Sequence, residues 1–138
     1  MIQRIQSVYL LLSSLFFTFF LLFPVFKVTT EAGVIAEKAM ENTYFFVLAV
    51  ILVAGCLGNV FLYKNRVLQK NVGWLLFVLN LFLAGIMGYH FYLEQRAENA
   101  VSISFGAIFP IVTLVFILLA IYNINKDEKL VRSLDRLR

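Results

Sequence analysis

The sequence is short of charge. Only 14% of its 138 residues are Asp, Glu, Lys or Arg, where a soluble domain carries about 25%. Cysteine is nearly absent too. Cys56 is the only one, so no intrachain disulfide forms and thiols say nothing about the compartment. Two prolines and seven glycines are too few for a collagen-like or low-complexity chain. No Gly-rich phosphate loop and no nucleic-acid motif occurs. What is abundant is apolar: 62% of the residues are hydrophobic. That balance indicates a membrane protein.

The apolar residues fall into four runs without an Asp, Glu, Lys or Arg, at 8–26, 44–63, 72–93 and 103–122. About 20 helical residues cross the ~30 Å hydrocarbon core, so each run is predicted to span. The first also resembles a signal peptide, with Arg4 ahead of an apolar core. We reject that reading, because the run is long and Pro24-Val-Phe-Lys27 offers no small-x-small cleavage site. The spans leave no room for a soluble domain. The chain is therefore expected to be one all-α transmembrane domain over residues 1–138, a four-helix antiparallel bundle.

Charge placement sets the expected orientation. Arg4, a short basic loop over 64–71 (Lys64, Arg66, Lys70) and the tail over 123–138 hold nine of the twelve Lys and Arg. The positive-inside rule puts both termini and that loop in the cytoplasm. The opposite side carries Lys27, Lys38 and Arg96 among Glu31, Glu37, Glu41, Glu94 and Glu98. In the 27–43 link, Val28-Thr-Thr reads as extended with Gly33 as a turn, and Glu37–Glu41 as a helical lead-in. Trp74 and the six tyrosines fall near span ends, where amphipathic rings prefer to lie.

Between helices already in lipid, close backbone approach and polar contacts do the work of apolar burial. Small and polar residues recur in each span. Thr18, Asn80 and Thr113 fall at similar depth, so one mid-membrane polar layer is predicted. It reads first as interhelical contact and second as a substrate site. Pro110 is expected inside the fourth span, with a bend.

Chemistry finds little to work with. Leu52-Val-Ala-Gly-Cys56 looks like a lipobox but starts more than fifty residues into the chain, so Cys56 reads as a small contact residue. His90 is the only histidine; a lone imidazole builds no metal site, and an interfacial role is the better reading. No acid or base other than His90 lies within the four runs, which argues against an ion-coupled transporter acting alone. No Ser–His or paired-carboxylate arrangement assembles there. Neither enzyme activity nor a cofactor, metal or nucleic-acid partner is expected.

The tail reads as a separate cytoplasmic helix capped by Asn125, with Glu128 at the capping-box position. Leu130, Val131, Leu134 and Leu137 form an apolar stripe, and Arg132 and Arg136 flank it. These residues are the candidate partner-binding surface, with headgroups and the chain's own basic loop as alternatives.

Two terminal segments carry a resemblance. Met1-Ile-Gln-Arg-Ile-Gln-Ser-Val-Tyr-Leu-Leu-Leu12 and Lys126-Asp-Glu-Lys-Leu-Val-Arg-Ser-Leu-Asp-Arg-Leu-Arg138 resemble the ends of a family of small four-span membrane proteins from the Bacteroidota, a domain of unknown function. The resemblance implies a bacterial cytoplasmic (inner) membrane and no activity, so no functional residue is carried over. The expected role is a non-enzymatic accessory or structural subunit, with membrane lipids and other inner-membrane proteins as partners or a second copy of the chain. The alternative is a small-molecule or lipid carrier using the polar layer.

Overall fold

A computed structural model describes residues 3–30, 33–97 and 100–135; side chains are described for 5–29, 33–97 and 100–131. The chain is mostly helical. Four helices, α1 (Gln3–Leu22), α2 (Thr43–Phe61), α3 (Arg66–Arg96) and α4 (Ile108–Asp135), are each long and apolar enough to cross a membrane. This is the architecture of a multi-pass membrane protein.

The helices pack in a ring, α1 on α2, α2 on α3, α3 on α4 and α4 on α1. Neighbours run antiparallel. Gln6 of α1 meets Asp127 of α4, while Phe23, just past α1, meets Phe105 just before α4. Phe16, Phe19, Phe109 and Phe116 stack along the α1–α4 seam at centroid distances of 5.4–6.2 Å. Leu52, Cys56, Leu76, Leu83 and Ile117 fill the centre.

One end of the ring is closed by a small sheet, which corrects the all-α expectation. Strands β1 (Pro24–Thr30), β2 (Gly33–Lys38) and β3 (Ala100–Ile103) form an antiparallel sheet with β1 in the middle. Pro24 lacks the N–H that would continue α1 and disfavours helix at the residue before it. The first span therefore stops at Leu22, and 24–26 become strand. Beyond an irregularity near Pro24, side chains alternate: Phe26 and Val28 are buried, Lys27 and Thr29 exposed, the period of a half-buried strand. Gly33 has φ +129°, a conformation L side chains rarely adopt, and it opens β2. Glu37 and Lys38 belong to that strand and not to a helical lead-in.

The other helix bounds also depart from the apolar runs. Helix α3 takes in most of the basic loop, because Asn65 caps it: its Oδ1 accepts from Leu68 N at 3.1 Å. Only a 3-10 turn over Leu62–Lys64 and Asn65 remain as connection. The fourth helix starts at Ile108, so Pro110 sits in its first turn, where a missing N–H costs little. Residues 123–135 continue α4 without a break. Asn125 is helix interior and caps nothing, so the separate tail helix is corrected to a continuation of α4 as far as Asp135. No Gly or Pro interrupts 111–135, and Asn123 turns its amide back onto Leu119 O at 2.7 Å. The asparagines that do cap are Asn65 and Asn42, whose Oδ1 accepts from Tyr44 N at 3.1 Å.

Candidate functional site

Three polar regions lie at different depths. The middle one joins α3 to α4. Asn80 Nδ2 donates to Thr113 Oγ1 at 2.9 Å and to Pro110 O at 3.1 Å. Thr113 in turn donates to Pro110 O at 2.8 Å. Both side chains are fully buried, and Asn80 Oδ1 has no partner. Thr18 does not join them. It is half-buried and donates to Ser14 O in its own helix at 3.0 Å, the common way for a helical Thr to satisfy its hydroxyl. The structure thus brings Asn80 and Thr113 together and leaves Thr18 on α1.

The second region lies at the basic end, and sequence reasoning missed it. Gln6, Asn59, Gln69 and Asp127 are all buried there. Gln6 Nε2 donates to Asp127 Oδ2, Gln69 Nε2 to Asn59 O at 3.2 Å, and Arg66 Nη1 to Asp127 O at 3.2 Å. Lys70 and Glu128 form an ion pair at 3.0 Å. Amides sitting in otherwise apolar helix ends were the available signal. The structural reason they matter is that α3 and α4 both extend past the bilayer-length runs, where α4 packs on α1 and on α3. Asp127 is thereby held in a bundle whose spans read as free of acid. These bonds also place the start of the tail on this chain's own α1 and α3.

Of the candidate docking residues, Leu130 and Val131 are exposed on α4. Arg132 and Leu134 follow in the same helix, but their side chains lie outside the described residues, as do Arg136 and Leu137 entirely.

The third region lies under the sheet. A cavity of about 120 Å³ is lined by Val25, Phe26, Glu37, Lys38, Glu41, Asn42, Phe45 and His90. The imidazole of His90 stacks on Phe26 at a centroid distance of 5.8 Å and an interplanar angle of 10°. Phe45 closes its other side at 5.6 Å. The His90 Nδ1 is buried without a hydrogen-bond partner. Glu41 Oε2 accepts from Lys38 N at 3.2 Å, which ties the strand end to the start of α2. Four separate stretches of sequence meet here. None is informative alone, which is why His90 reads as a lone interfacial ring from sequence.

Among the described residues, no three His, Cys, Asp or Glu side chains are grouped to hold a metal ion. Ser13 and Ser14 donate to Tyr9 O and Leu11 O in their own helix, far along the bundle from His90. Cys56 is buried.

No curated protein and no solved structure matches the chain. Residues 2–137 match the model of a domain of unknown function (DUF4293), which covers nearly the whole chain, and the protein belongs to that family.

Proposed function

We propose that this protein is a non-enzymatic accessory or structural subunit of an inner-membrane protein assembly in a bacterium of the Bacteroidota. It docks through its helices and the end of α4, with its basic end in the cytoplasm. The observation that carries the reading is at that end. The Lys70–Glu128 pair and the Asp127 bonds hold α4 to the bundle. Immediately beyond, Leu130 and Val131 are 45% and 41% exposed. Exposed apolar residues just past the ion pair are suited to a partner. The orientation is supported by nine of the twelve Lys and Arg at the basic end, the bias expected of cytoplasmic loops. The non-enzymatic reading is supported by the Ser13, Ser14, Thr18 and Thr113 hydroxyls, which donate to backbone carbonyls in their own helices.

The carrier reading draws less support, because both Asn80 donors are engaged with α4 and Thr18 faces its own helix. Native purification after mild detergent extraction tests the subunit reading. A stoichiometric second protein is the expected result, and a monodisperse monomer overturns it. A pure assembly of this chain alone replaces it with a homo-oligomer.

A further inference from the structure

Two concave features meet at His90. One is the polar cavity under the sheet. The other is an apolar groove of about 930 Å³ between α2 and α3, lined among others by Val47, Leu48, Phe82, Ile86 and Leu93. Asn42 and His90 line both, so the groove begins where the cavity ends. Tyr44 and Tyr89 stand at that junction, and both are well exposed, the place interfacial tyrosines take in a bilayer.

The dimensions match one leaflet. Along α3 the groove runs from Leu93 to Phe82, which at 1.5 Å per residue is about 16 Å. Half of a ~30 Å hydrocarbon core is about 15 Å. The polar cavity lies at the sheet end of the same helices, bounded by β1, the end of β2, the start of α2 and His90. Its wall carries two carboxylates, Glu37 and Glu41, against one ammonium, Lys38. One Glu41 oxygen already holds the Lys38 N–H. The His90 Nδ1 is unpartnered. The cavity therefore favours a small cation that donates hydrogen bonds, and its 120 Å³ holds a group of a few heavy atoms, about four waters' worth of space.

We propose that the cavity and groove together bind a membrane lipid whose headgroup ends in a primary ammonium. The ammonium enters between Glu37, Glu41 and His90, the preceding phosphate lies toward Lys38, and one acyl chain fills the groove. A trimethylammonium headgroup has no N–H to donate and is rejected. The site sits at the end opposite the tail and stands or falls apart from the subunit reading.

The test uses the full-length protein in nanodiscs of equimolar phosphatidylethanolamine and phosphatidylcholine with matched chains. Lipid retained after detergent washing is measured by mass spectrometry. The ethanolamine lipid should be enriched about fivefold or more, a difference of about 1 kcal/mol. Glu37→Gln with Glu41→Gln should remove the enrichment without moving the melting temperature. Val47→Trp, which fills the groove, should lower retention of the ethanolamine lipid to a similar degree. Equal retention of both lipids, or enrichment that survives either variant, overturns the proposal. Displacement of the lipid by soluble phosphoethanolamine overturns the groove's part in it.

Discussion

Asn80 donates both amide hydrogens to α4 while its Oδ1 goes unpartnered. Interhelical polar contacts of this kind average about 0.6 kcal/mol and reach about 1.7. Asn80→Leu should lower stability within that range, read as a reduced melting temperature in detergent. The loss is small because Thr113 keeps its own bond to Pro110 O and only Asn80 leaves. Glycine contacts are more sharply graded. A Cβ at Gly106 would lie 2.5 Å from Pro24 O and 2.9 Å from Phe23 O, both backbone atoms. A Cβ at Gly55 would meet Leu76 Cδ2 at 2.5 Å, the end of a side chain that can rotate. Gly106→Ala should therefore destabilise clearly, by about 1–3 kcal/mol, and Gly55→Ala should cost less. Thermal unfolding of the two variants side by side checks the order. The close approach at Gly106 has no sequence signal: it arises because β1 and the 3-10 turn over Phe105–Ala107 pack together from opposite ends of the chain.

At the level of the elements, α4 carries the prediction that matters for function. Its length follows from the absence of a helix breaker after Pro110, which hydropathy alone does not register. Leu130→Ser with Val131→Ser changes two exposed side chains beyond the last described ion pair, so the bundle should melt as before while the co-purifying protein is lost. A bundle that melts early would show instead that the tail packs at home. The Lys70–Glu128 pair is partly exposed, and such pairs contribute about 0.2–1 kcal/mol. A double-mutant cycle with Lys70→Ala and Glu128→Ala should return a coupling of about that size. Asn42 and Asn65 stand directly before α2 and α3 and cap them, and the start of α3 six residues ahead of its apolar run follows from that cap and not from hydropathy. Asn125 carries the same local chemistry and caps nothing, since a capping side chain acts only where the helix has a reason to begin.

For the whole molecule, the sheet and the basic end should lie on opposite sides of a membrane. Lys38 and Lys64 are both exposed, and the native Cys56 is buried, so background labelling is low. In intact cells an impermeant thiol reagent should label a Lys38→Cys variant and spare Lys64→Cys. The reverse pattern would invert the orientation.

Four uncharged runs, their lengths and the one-sided basic residues are local or additive properties of the chain. Lipid responds to them segment by segment, so the four crossing helices and their antiparallel order were readable without a fold. Val28-Thr-Thr was readable as extended with a turn at Gly33, but the pairing of the three strands, the burial of Asp127 and the His90 cavity were not. Each depends on pairing across distance: Phe26 with Ile103, Gln6 with Asp127, Phe26 and Phe45 with His90. Hydropathy weighs a residue against solvent, and these residues are placed by neighbours that only the closed ring of helices brings within reach.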